Sequence, residues 1–134
     1  MSREKSISAI ERFRRSCMDH PLVIAAFLGG SYAAGNPRAD SDIDLYLVTS
    51  PEDYSTFIAD RRAFIRSWGN PTHLEDIWNF EGLGFDMTVF AMTDGVRGEV
   101  AYGTTHNFLT LHGGPHRVLA DKAGLLDGVT FPLL

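Results

Sequence analysis

The chain has 134 residues, enough for one domain with a real core. A formal charge of −5 with no run of lysine or arginine excludes a broad nucleic-acid-binding surface. Cys17 is the only cysteine, so no intrachain disulfide can form and a reducing cytoplasm is the expected setting. The N-terminus does not read as a signal peptide, and no apolar run reaches the length of a membrane span.

In chain order, residues 6–19 read as an amphipathic helix, with Ile7, Ile10, Phe13 or Arg14, and Cys17 near helical spacing. His20-Pro21 ends it, because a residue before proline is pushed out of the helical region. The apolar run 22–28 predicts a buried strand, Gly29-Gly30 a sharp turn, and Ser31 the cap of a short helical turn through Ala34. A second strand is expected over 43–48. Ser50-Pro51-Glu52-Asp53 then opens a helix whose apolar residues Tyr54, Phe57, Ile58, Phe64, Ile65 and Trp68 share one face until Gly69-Asn70-Pro71. Residues 73–80 and 83–91 read as two strands, 93–102 as a weak helix, 103–115 as mostly loop and 117–120 as a last short strand. This pattern predicts an α/β fold, a mixed sheet of about five strands flanked by helices, in one domain spanning 1–134.

The chemistry concentrates where Gly29-Gly30-Ser31 is followed by Asp42-Ile43-Asp44-Leu45. On a strand, Asp42 and Asp44 point the same way, roughly 6–7 Å apart. Two acids so placed repel each other and lose hydration unless a cation lies between them. Gly30 and Ser31 at a helix mouth can offer backbone N–H groups and a hydroxyl to a phosphate. Asp86 stands in an otherwise apolar strand, where an unpaired carboxylate is expensive to bury; its alternative reading is a strand-end acid facing solvent. His112 and His116 flank glycines and a proline that forbid the helix needed for a zinc pair, so they read as loop residues. Glu75, Asp76 and Glu81 read as surface charge.

Together, Gly29-Gly30-Ser31, Asp42-Ile43-Asp44 and the strand acid Asp86 resemble the signature of the DNA polymerase β-like nucleotidyltransferase superfamily, closest to its minimal and antibiotic-modifying members. The resemblance covers about residues 22–90 and implies a polymerase β palm-like core. It implies that Asp42 and Asp44 hold two Mg²⁺ ions and that Gly30 and Ser31 bind a nucleoside triphosphate, ATP. It further implies that Asp86 completes one metal site and deprotonates the acceptor hydroxyl. Minimal members often carry arginine soon after the serine, where this chain has Tyr32-Ala33-Ala34-Gly35. Arg38, then Lys122, are the candidates for pairing with the triphosphate. The helical domain with which antibiotic-modifying relatives build the acceptor pocket has no counterpart here.

The function expected is therefore Mg-dependent transfer of AMP from ATP to a hydroxyl of a small molecule or a protein. A homodimer, a helical partner protein or a further part of a longer protein would supply that wall. The alternative is an antitoxin-like minimal nucleotidyltransferase acting through a helical partner. A third reading, a glycosyltransferase using Asp42-x-Asp44, leaves Gly29-Gly30-Ser31 without a role.

Overall fold

A computed structural model describes residues 3–38 and 40–132. It contains α1 (Arg3–Asp19), β1 (Ala25–Gly29), α2 (Gly30–Ala34), β2 (Ile43–Thr49), α3 (Tyr54–Ala59), α4 (Arg61–Trp68), β3 (Pro71–Ile77), β4 (Asp86–Met92), β5 (Arg97–Thr104) and β6 (Arg117–Asp121). The six strands form one sheet in the order β3-β4-β5-β2-β1-β6. The β2–β5 pair is parallel; the other neighbours run antiparallel. The α/β expectation holds, with one strand more than anticipated. Among the described residues no helix is long and apolar enough to cross a membrane.

The two faces of the sheet differ. Ile43, Leu45 and Leu47 of β2, Val100 and Tyr102 of β5 and Phe90 of β4 pack under α1, α3 and α4, against Phe13, Phe57, Phe64, Ile65 and Trp68. Edge-to-face contacts lock this layer, with Phe13 to Trp68 at 5.5 Å and Trp68 to Phe90 at 5.3 Å between ring centroids. The opposite face is covered by the C-terminal segment, where Phe108, Leu111, Leu126 and Phe131 sit over Phe27 and Val48. Because side chains alternate along a strand, Asp44 and Tyr46 of β2 belong to this second face.

Three elements depart from the sequence expectation. Ile7 is 52 % exposed, and α1 instead buries Ser6, Ala9, Ile10, Phe13 and Cys17. The helix expected from Ser50 breaks at Asp60 into α3 and α4. The Ser50 hydroxyl does accept from the Asp53 N–H at 3.1 Å, but residues 51–53 form a turn and helix begins at Tyr54.

The third departure matters most: the weak helix expected over 93–102 is strand β5. Thr93-Asp94-Gly95 closes a β4–β5 hairpin, with the Met92 N–H donating to Val96 O at 2.8 Å and the Gly95 N–H to Met92 O at 3.0 Å. Beyond the turn, burial alternates from Arg97 to Val100, and Val100 to Gly103 are then buried on both faces of the strand. Gly98 is also required for strand pairing, since a Cβ there would overlap the carbonyl oxygen of Ile43 on β2.

Asp76, which reads from sequence as surface charge, holds the far strands to the helices. Arg61 donates to it twice (Nε at 2.9 Å, Nη2 at 2.6 Å), and Arg62 Nη2 donates at 2.7 Å. Thr88 Oγ1 donates at 2.8 Å, while Thr88 itself accepts from the Tyr102 hydroxyl. The Asp76 side chain is only 10 % exposed. The hydrogen bonds from Arg61, chiefly, hold its carboxyl far below the ordinary 3.8. A depressed carboxylate pKa gives stability that is present above the unfolded value and lost as pH falls below it. Asp76→Asn should therefore cost about 3 kcal/mol at pH 7, because it strands Arg61. Thermal melts across pH should show the wild type losing stability below pH 3.8, with a flatter acid limb in the variant.

Candidate active site

Gly30 follows the last residue of β1, and Asp44 lies directly across from Gly29 in the β1–β2 register. Gly30 has φ of 63°, and a Cβ on it would collide with Asp44 Oδ2. A glycine is needed here both for its backbone conformation and so that α2 can approach the carboxylate. Ser31 is half-buried beside it. It lies inside α2 rather than capping it, since Gly29 holds the N-cap position with no side-chain cap, and its carbonyl accepts from the N–H groups of Gly35 and Asn36. Gly30, Ser31 and Asp44 are thus brought together, as the sequence suggests.

Asp42 stands one residue before β2, its side chain 60 % exposed, with an oxygen 3.6 Å from Arg97 Nε. Arg97 is not evident from sequence as a site residue, because residues 93–102 read there as helix. Arg38 is exposed and lies 3.9 Å from Asp40. Its loop is set by a tight turn in which the Ser41 hydroxyl accepts from the Arg38 N–H at 2.8 Å. Ser31, Arg38, Asp42, Asp44 and Arg97 all line one polar cleft of about 660 Å³. Lys122 lies elsewhere: its N–H pairs with Ile24 at the opposite end of β1, and its ammonium donates to His20 O at 2.7 Å.

Asp86 is not brought to Asp42 and Asp44. It is the first residue of β4 and pairs with Tyr102, whereas Asp44 pairs with Glu99 three residues earlier on β5. That separates the two along the strand by ~10 Å. Asp86 also shares a face with Thr88 and Phe90, the helix-covered one, while Asp44 faces the other way. Its oxygens are engaged there, accepting from the Tyr54 hydroxyl at 2.8 Å and from the Asn79 N–H at 2.8 Å. The reason is the strand that the sequence disguises as helix, since β5 lies between β2 and β4.

Glu99 is the carboxyl that the register sets beside Asp44. The two side chains lie close enough for each to shift the other's titration. Burial, reinforced by the charge of Asp44 and then Asp42, pushes Glu99 up to about 7. Burial also raises Asp44, with Asp42 adding to the effect and Glu99 and His112 opposing it. Both carboxyls are therefore held above their ordinary range, Glu99 more clearly than Asp44. Among the described residues no three His, Cys, Asp or Glu side chains close around one point, so the triad Asp42, Asp44 and Asp86 is not assembled. In its place stands the Asp44–Glu99 pair with Asp42 at the mouth. The signal for Glu99 lies in Asp94-Gly95, a turn dipeptide following the strand 86–92.

Half-buried acids set side by side form a donor set suited to a hard divalent cation, which would relieve their repulsion. Serine and two arginines on the adjoining wall suit an anion. A cleft holding both can bring a metal and a polyphosphate to the same point.

No match was found among curated proteins. A family model described as the nucleotidyltransferase domain matches residues 10–97, from within α1 to the first residue of β5. That match takes in Gly30, Ser31, Arg38, Asp42, Asp44 and Arg97 and covers well over half of the 134 residues, and by it the chain belongs to the nucleotidyltransferase domain family, within the polymerase β-like superfamily.

Proposed function

We propose that this nucleotidyltransferase transfers a nucleoside monophosphate, AMP from ATP, to a hydroxyl on a small molecule or a protein side chain, with Mg²⁺ held at Asp42 and Asp44. The observation that carries the reading is one polar cleft lined by Ser31, Arg38, Asp42, Asp44 and Arg97, with Glu99 set beside Asp44 by the β2–β5 register. Mg²⁺ bound there would neutralise the acids and act as a Lewis acid on the phosphoryl oxygens.

The chain's own groups do the rest. Arg38 and Arg97 pair with the non-bridging oxygens of the triphosphate, and the Ser31 hydroxyl donates to one of them. Their positive charge matters most as the bond to pyrophosphate breaks and negative charge grows on the leaving group. Glu99 takes the role that the sequence resemblance gives to Asp86. From β5 its carboxylate accepts the proton of the attacking hydroxyl, and the new ester bond forms as pyrophosphate departs.

The test is incubation with α-labelled ATP and Mg²⁺, following pyrophosphate release and label transfer to acceptors in a cell extract. Asp44→Asn should lower transfer by about a thousandfold, the loss expected when several kcal/mol of charge stabilisation is removed. Glu99→Gln should lower it roughly a hundredfold. Asp86→Asn should lower the melting temperature while leaving transfer within about threefold at 25 °C, because its partners are structural. A wild type that neither binds a metal–nucleotide complex nor releases pyrophosphate overturns the reading. A loss with Asp86→Asn as deep as that with Glu99→Gln returns the catalytic role to Asp86.

A second measurement needs no acceptor. The raised carboxyl of Glu99 takes up a proton on folding, so the stability it contributes is full below 4.5 and is lost as pH rises towards about 7. The melting temperature of metal-free protein should carry this decline, and Glu99→Gln should remove it. Added Mg²⁺ should raise the melting temperature more at pH 8 than at pH 5.5, where protons compete, and Asp44→Asn should abolish the response.

A further inference from the structure

A second cleft, of about 490 Å³, opens beside the arginine-lined one and shares Ser31 and Asp44 with it. Its character is different. Ala34, Tyr46, Leu111, His112 and Pro115 line it, with no lysine or arginine among the described residues. We propose that this cleft receives the base and ribose of the nucleoside triphosphate, Tyr46 and His112 forming the wall against which the base lies; the inference rests on the nucleotidyl-transfer reading above.

The shape of the ligand class argues for it. A nucleoside triphosphate has a strongly anionic end and a neutral, flat end, joined at the α-phosphate. The trench is divided in the same way: arginines lie on one side of Asp44 and rings with aliphatic carbon on the other. The volume falls in the range of small-molecule sites.

The wall is rigid before any ligand arrives. His112 Nε2–H donates to the Pro115 carbonyl at 2.7 Å, which leaves Nδ1 to accept from the Tyr46 hydroxyl at 3.3 Å. Both rings rest above Gly29, where a side chain would meet His112 Cε1 and Tyr46 Cε2 at 2.8 Å. Tyr46 stacks on Phe27 at 4.7 Å with planes 4° apart, and Phe27 stacks in turn on Phe131 at 4.8 Å. Little ordering cost remains to be met on binding.

Strand order decides between the nucleoside and the acceptor as occupant. Glu99 stands on β5, on one side of β2; Gly29 and the Tyr46–His112 wall lie toward β1, on the other. An acceptor hydroxyl must approach Glu99, so the cleft on the β1 side is left to the nucleoside.

The experiment is calorimetric titration, with Mg²⁺ present, of ATP, GTP, CTP, UTP and inorganic tripolyphosphate into the wild type, Ala34→Phe and His112→Ala. Ala34 is exposed on α2, so a ring placed there fills the cleft without entering the core. At least one nucleotide should bind the wild type on the order of tenfold more tightly than tripolyphosphate, the worth of one stacked base. Both variants should lose that excess while keeping their tripolyphosphate affinity. If nucleotides bind no better than tripolyphosphate, or if Ala34→Phe keeps full nucleotide affinity, the cleft assignment is wrong while the transfer reading stands. Ala34→Phe protein that binds nucleotide normally but no longer transfers label would assign the cleft to the acceptor instead. Failure of both nucleotide and tripolyphosphate to bind removes the transfer reading and this inference together.

Discussion

The parallel register of β2 against β5 is the constraint on which the site depends. It sets Asp44 beside Glu99 on the face away from the helices, where burial and the neighbouring acids raise both carboxyls. One residue earlier, Gly98 lies so close to the Ile43 carbonyl that any side chain would separate the strands at this end. Two acids drawn together by backbone pairing cannot move apart to relieve their repulsion. They hold a proton or take a cation. The strands thus impose on the site a demand for positive charge, and Arg97 and Arg38 stand in the adjoining cleft.

Much of this is legible from sequence because its signals are local. The apolar run ending in Gly29-Gly30-Ser31 and the acids Asp42 and Asp44 are each set by neighbours within a few residues, and they lie where the sequence places them. The third acid is not legible, because which carboxyl joins a pair on another strand depends on strand order and register. Asp86 lies in an apolar strand, but β5 intervenes, and parity turns it toward Tyr54. Propensity over 93–102 counts two glycines against a helix. It does not register what they permit, namely a hairpin turn and a close strand contact. Asp76 misleads in the opposite direction: charge suggests solvent, yet the side chain is enclosed by Arg61, Arg62 and Thr88.

The polar network around Asp76 and the Asp44–Glu99 pair are linked through the β4–β5 hairpin. Thr88 on β4 donates to Asp76 and accepts from Tyr102 of β5, and Tyr54 of α3 bonds Asp86 at the start of β4. These contacts fix the β4–β5 hairpin against the helix layer from one side of the sheet. Glu99 projects from the same hairpin to the other side. Residues on the helix-covered side therefore determine where the Glu99 carboxyl sits, and Asp86 belongs among them.

The family match ends at Arg97, two residues before Glu99, and the wall formed by His112 lies further on. The portion that the family describes carries Ser31, the two arginines of the polar cleft and the acids Asp42, Asp44 and Asp86. The residues beyond Arg97 supply the partner acid and much of the apolar cleft. That division has a physical basis. A triphosphate presents the same charges whichever nucleoside bears it, so the groups that meet it can remain constant. The groups that distinguish one nucleoside or one acceptor from another must differ with the ligand. In the proposed site those groups would come from a hairpin and a C-terminal segment laid over the second face of the sheet, where they can change without disturbing the helix-covered core.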